Sequence, residues 1–178
     1  MKKGLIAVLM VIACMCLATQ TVAAEKFFIE PVTHVVTVNY DLSVEEIARI
    51  GGLFYPGVPI DYSNFPVVGT GVKTLEMVVV YLNSDASTSK VRRYMRQYNL
   101  RPANLKELFF FEKTRPKEKL RIFRRIVELG TGWTLDGDYV QTGYLYIYEG
   151  KRRIDIYWDN PDPEKGWASD FRFLAVQE

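Results

Sequence analysis

Residues 139–158 read YVQTGYLYIYEGKRRIDIYW, and the architecture hangs on this stretch. Two runs rich in aromatic and β-branched residues, 139–148 and 151–158, flank Glu149-Gly150. A residue pair ending in Gly is what a two-residue hairpin turn favours. That turn would set Tyr148 opposite Lys151, Tyr146 opposite Arg153 and Tyr144 opposite Asp155. Strand alternation then sends Tyr144, Tyr146, Tyr148 and Arg153 to one face, and Leu145, Ile147, Ile154, Ile156 and Trp158 to the other. The expectation is a C-terminal hairpin with an aromatic, charged face and an aliphatic face.

Beyond the hairpin, Asp159-Asn160-Pro161-Asp162-Pro163 cannot continue a ladder and reads as a loop, with residues 171–176 (FRFLAV) as a short terminal strand. Upstream, Leu135-Asp136-Gly137-Asp138 resembles a second hairpin turn. Residues 120–129 (LRIFRRIVEL) are ambiguous between helix and strand. Asn83-Ser84-Asp85 offers capping side chains for a helix to about Tyr98, with Val91, Tyr94, Met95 and Tyr98 on one face and Arg92, Arg93 and Arg96 on the other. Asn99-Leu100-Arg101-Pro102 breaks that helix, and Asn104 caps another through Leu105, Leu108, Phe109 and Glu112, succeeded by a charged loop or frayed turn over 113–119.

Nearer the start, residues 72–82 run into Met77-Val78-Val79-Val80-Tyr81, the pattern of a central strand buried on both faces. Residues 32–40 are β-branched and read as a strand, and Ser43-Val44-Glu45-Glu46 has capping-box spacing for a short helix ending at Gly51-Gly52. Residues 53–71 carry Pro56, Pro59 and Pro66 and form an irregular connection. The sum is one α+β domain over residues 25–178, with a mixed or antiparallel sheet, two or three short helices and the C-terminal hairpin.

Residues 1–24 stand apart. Met1-Lys2-Lys3, a 14-residue apolar run over 5–18 and the small-residue end Val22-Ala23-Ala24 match a secretory signal peptide, making the protein periplasmic or secreted. The run is shorter than the roughly 18–20 residues of a membrane span, and no later segment approaches that length. Val11-Ile12-Ala13-Cys14 is a competing reading as a lipobox, with Cys14 the lipidated residue, although the apolar run continues past it. Cys14 and Cys16 are the chain's two cysteines, so cleavage after Ala24 leaves a domain held by its core without disulfides.

The net charge of +2 conceals a strong asymmetry. Residues 90–125 hold 13 basic residues against Glu107, Glu112 and Glu118, a net of +10, while residues 25–89 and 126–178 each carry −5. Arg92, Arg93, Arg96, Arg121, Arg124 and Arg125 form the candidate basic surface, for an anionic envelope partner or as a solvated face balanced by the acidic flanks.

Residues 98–108 (YNLRPANLKEL), Leu129-Gly130-Thr131-Gly132-Trp133, Tyr144-Leu145-Tyr146 and the closing Arg172-Phe173-Leu174-Ala175-Val176 resemble a recurring family of small uncharacterised bacterial proteins. The helix start at Leu100-Arg101-Pro102 and the Trp-then-FR close are more distantly similar to the C-type lectin-like fold, including its sulfatase-modifying branch. That resemblance implies a fold and carries no activity by itself. Trp158-Asp159-Asn160 is similar to the lectins' Trp-Asn-Asp, but their upstream partner motif and their disulfides are missing.

For catalysis the chain offers little. His34 has no second His, Cys or Ser to work with and reads as a strand histidine; zinc needs three or four donors, and no metal or cofactor is expected. The alternative function is an envelope hydrolase using a carboxylate pair among Asp136, Asp138, Asp155, Asp159, Asp162, Glu164 and Asp170, spaced at about 5 or 9 Å. Asp159, Asn160 and Asp162 lack the twelve-residue calcium-loop pattern. Tyr144, Tyr146, Tyr148 and Arg153 supply the candidate binding face, or core if helices cover it, and Trp158, on the other face, is a further candidate binding residue. The expected function is thus a non-catalytic binding domain of the cell envelope, its partner a protein or glycan, with no nucleic-acid motif.

Overall fold

The computed structural model of the protein describes residues 27–51, 69–114, 125–135, 139–159 and 166–178. The expected signal peptide with Cys14 and residues 52–68, 115–124, 136–138 and 160–165 lie outside the described residues. In chain order the elements are β1 (Phe27–Ile29), β2 (His34–Asn39), α1 (Val44–Gly51), β3 (Val72–Leu82), α2 (Thr88–Gln97), β4 (Leu100–Pro102), α3 (Leu105–Thr114), β5 (Arg125–Val127), β6 (Trp133–Leu135), β7 (Tyr139–Tyr148), β8 (Lys151–Asp159) and β9 (Phe171–Gln177). The fold is α+β and dominated by one mixed sheet. No described helix is long and apolar enough to cross a membrane.

The hairpin forms in the expected register, with Tyr148 opposite Lys151, Tyr146 opposite Arg153 and Tyr144 opposite Asp155. Its turn has φ of 51° at Glu149 and 71° at Gly150, the double positive φ of a type I′ turn, which Gly adopts without strain. The capping box also forms: Ser43 N donates to Glu46 Oε2 at 2.8 Å and Glu46 N to Ser43 Oγ at 3.1 Å.

The short strand expected at the C-terminus is in fact central. β9 pairs antiparallel with β3 (Met77 opposite Val176) on one side, and parallel with β5 (Arg125 opposite Phe171) on the other. β1 and β2 share the far edge of β3, while β7 and then β8 continue the sheet beyond β5. The ambiguous segment 120–129 therefore resolves as strand at residues 125–127, because its Ile126-Val127 fills a gap in the ladder.

Past Val127 the sheet forks. β9 takes β4 as its neighbour (Arg101 opposite Val176), β7 takes β6 (Trp133 opposite Gln141), and residues 128–132 enter between them. Gly130 N donates to Ala103 O at 2.8 Å, and a Cβ at Gly130 would stand 2.5 Å from that same oxygen. Only glycine lets the loop come this close.

Both sheet faces are covered, unequally. On one, Val36, Val38, Val79, Ile126, Leu145, Ile154 and Leu174 pack under α1 and α3, with Phe109 and Phe111 fully buried. Each such aromatic side chain contributes about 1.5–3 kcal/mol relative to exposure. On the other, Val78, Val80, Val127, Phe171 and Phe173 meet Val91 and Met95 of α2 and Trp167.

Two helix boundaries differ from expectation, and a short strand appears where only a break was expected. α2 starts at Thr88, not at the Asn83-Ser84-Asp85 cluster, and Ser87 makes no side-chain cap bond. The cluster instead serves the sheet end: Asp85 Oδ1 accepts from Ser169 N at 3.1 Å and Ala86 bridges Trp167. Asn99 ends α2 with φ of 55°, and the chain passes directly into the strand β4 where a mere break was expected. α3 runs on to Thr114, so Lys113 is helical and not in a loop.

Candidate functional site

Two places on the molecule gather chemistry, at opposite ends of β9. The first is a cross-strand row. Register places Phe171, Arg125, Tyr146 and Arg153 side by side across β9, β5, β7 and β8. Directly opposed residues project to the same face, here that of α2. Arg125 lies over the Phe171 ring at 5.1 Å and Arg153 over the Tyr148 ring at 4.3 Å. Tyr146 stacks on Tyr144 with centroids 5.1 Å apart.

The row is graded in depth. Arg125 and Tyr148 reach solvent, with about half their surface exposed (48% and 50%), whereas Arg153 keeps only 12% of its side chain accessible beneath Tyr148. Tyr144 and Tyr146 are half-buried, Tyr144 packing against the α2-side core. Nearby carboxylates are loosely held: Asp170 is 3.9 Å from Arg125 and Glu149 is 3.8 Å from Arg153. Trp158 takes its place in β8 opposite Gln141; its side chain lies outside the described residues.

The rest of the basic segment is dispersed. Arg93 and Arg96 are exposed on α2, Arg92 donates to Leu129 O at 2.7 Å, and Arg121 and Arg124 lie outside the described residues. Arg101 and Lys106 turn inward, Lys106 donating to Tyr40 O.

That inward turn builds the second place, a cleft of about 550 Å³ where β2 ends and α3 begins. Glu107 is fully buried at its base. Its Oε1 accepts from Tyr40 Oη and from Arg101 at 2.8 Å; its Oε2 accepts from Arg101 at 3.0 Å and from Asn104 N at 2.8 Å. Asn104 Oδ1 accepts in turn from Glu107 N at 3.0 Å, closing a capping box on α3. Burial first, and then the bond to Glu107, push the Tyr40 hydroxyl well above the usual phenol range, so it stays a donor. The hydrogen bond that Arg101 donates to Glu107, foremost, raises the Arg101 pKa further.

A buried carboxylate also ties the fork together. Glu128 accepts from Thr131 N at 2.9 Å and from Gly143 N at 3.0 Å, and Thr131 Oγ1 accepts from Leu105 N at 3.0 Å. Burial pushes the Glu128 carboxyl above its ordinary pKa. Glu112 is buried too, against Arg152 of β8, and shifted the same way by desolvation.

The remaining candidates are scattered. His34 is 3.4 Å from Glu30 and edge-on to Phe111 at 5.1 Å, consistent with a strand histidine. Asp155 and Asp170 lie on opposite sides of three strand spacings, about 14 Å of backbone. Asp136, Asp138, Asp162 and Glu164 lie outside the described residues, as does the side chain of Asp159. Among the described residues no group of three or more His, Cys, Asp or Glu could hold a metal ion.

Sequence reasoning missed Tyr40, Arg101 and Glu107. Their one local signal was the Asn104-to-Glu107 capping-box spacing; Tyr40 lies 67 positions from Glu107. Comparison with protein-family models, curated proteins and solved structures gives no match to this chain.

Proposed function

We propose that this chain is an exported, non-catalytic binding domain of the bacterial cell envelope, which meets an acidic envelope glycan with the row of Arg125, Tyr146, Tyr148 and Arg153. The observation that carries the reading is the row itself, where guanidinium and aromatic side chains alternate from Phe171 of β9 through Arg125 and Tyr146 to Arg153 of β8. Tyrosine faces stack on sugar rings and offer a polar tip, while guanidinium groups pair with carboxylates. The exposed members, Arg125 and Tyr148, are the ones a ligand would reach first. Export is supported by the leader pattern of residues 1–24. A protein partner would use the same residue types.

The test is an array of acidic and neutral envelope polysaccharides probed with the wild type, Arg125→Ala and Tyr148→Ala. Acidic glycans should bind, and each substitution should weaken binding about tenfold or more. Raising the salt should weaken it too, as the screening length falls from about 10 Å at 0.1 M to about 3 Å at 1 M. Unchanged binding in both variants would remove this face from the function, and capture of a protein without any glycan signal would replace the ligand class.

A further inference from the structure

The row at the hairpin leaves the cleft at the other end of β9 without a role. We propose that this cleft binds a small organic anion, a carboxylate carried on a ring, held by Lys73, Arg92 and Asn104 beside Leu75 and Pro102.

The volume of about 550 Å³ is that of a small-molecule site, for which about 300–1,000 Å³ is usual. The charge balance selects an anion. Lys73, Arg92 and Arg101 line the cleft, and Glu107 is the one carboxylate in its described lining. Glu107 is consumed by Arg101, Tyr40 and the Asn104 backbone, which leaves the positive charges of Lys73 and Arg92 uncompensated within that lining. Arg92 is fixed by its bond to Leu129 O and keeps further N–H groups on its guanidinium.

A second observation points the same way. Asn104 is 4% exposed and lines the cleft, yet its Nδ2 has no hydrogen-bond partner among the described residues. Its orientation is set, because Oδ1 must face Glu107 N to cap α3. A buried, unpaired donor is unfavourable and rare in folded proteins. With Glu107 and Asn104 Oδ1 both engaged, the side chains present donors to a ligand that must bring acceptors. Leu75 and Pro102, both partly exposed, supply the apolar wall that an organic ring, unlike a bare inorganic anion, would cover. Lys73 Nζ stands 5.7 Å from the centroid of the Tyr40 ring, which brings its charge to the wall of the cleft.

The experiment is calorimetric titration of the protein with glucuronate, benzoate, glucose and inorganic phosphate. At least one of the two carboxylates should saturate, and glucose should not. Asn104→Asp keeps an efficient N-cap while turning the donor into an anion, and Lys73→Gln alters an exposed position. Each should weaken carboxylate binding about tenfold or more, and Arg125→Ala should leave it unchanged, which separates this site from the row. If Asn104→Asp does not fold, Lys73→Gln carries the test. The proposal is overturned if neither carboxylate saturates, if glucose or phosphate binds in their place, or if either folded variant binds like the wild type.

Discussion

Arg101 and Arg125 both belong to strands that flank β9, one opposite Val176 and the other opposite Phe171, and they live in different chemical worlds. Arg101 grips a fully buried carboxylate with two bonds of 2.8 and 3.0 Å. Arg125 rests on an aromatic ring, half exposed, with Asp170 at 3.9 Å and itself 44% exposed. The +10 of residues 90–125 therefore mixes arginines that hold the fold with arginines available to a partner. Burial and the tightness of the counter-charge tell them apart; proximity in sequence does not.

Arg101→Ala puts the contrast between the two arginines at greatest risk. It strips Glu107 of its main counter-charge inside the protein, and removing one partner of a buried pair costs about 3–5 kcal/mol. We expect a loss near the lower end, since one third of the Arg101 side chain reaches solvent. The shift in urea midpoint measures it, and a loss within the usual range of exposed pairs, about 0–1 kcal/mol, would erase the distinction.

Glu128→Gln should have an intermediate effect, because an amide cannot accept from both Thr131 N and Gly143 N; an unsatisfied buried donor costs about 1–3 kcal/mol. The size of the effect should also depend on pH. Burial raises the Glu128 pKa, so the folded state binds the proton more tightly than the unfolded chain. The advantage of the wild type over Glu128→Gln is then complete below about pH 4, near the ordinary glutamate pKa of about 4.3. It shrinks as the pH rises through the raised value. Denaturation curves for both proteins between acid and neutral pH would show a gap that narrows upward; a gap constant with pH would mean that Glu128 does not titrate between folded and unfolded states.

The smallest effect is expected from Arg125→Ala. Its loose ion pair and its place over Phe171 are worth at most about 1 kcal/mol together, so the melting temperature should hardly move while glycan binding falls. A large loss of stability would assign this arginine to the frame of the molecule.

Legibility in the sequence tracked the range of the interactions. The hairpin was readable because Glu149-Gly150 fixes its register and alternation does the rest. The Ser43–Glu46 capping box and the central strand β3 were readable for the same reason, since spacing alone defines them. The three-residue strands β1, β4 and β6 were not, being too short to show a period and held by partners far along the chain. The start of α2 shows the limit of capping signals: Asp85 had a donor to satisfy, but it was the backbone of Ser169, 84 positions away. The aromatic face could be named from alternation, whereas its union with Arg125 needed the β5–β7 pairing. The cleft depends on the fork and on Tyr40 reaching Glu107, neither of which leaves a periodic trace.

The position of β9 has a consequence for how the chain reaches its native state. β9 follows β3, β4 and β5 in the chain and is the strand on which all three pair, so the middle of the sheet is missing until residues 171–177 have been made. Contacts this distant in sequence make folding slow and late. Until the seven residues of β9 join them, β3 and β5 each keep an unpaired strand edge, a template for pairing with another chain.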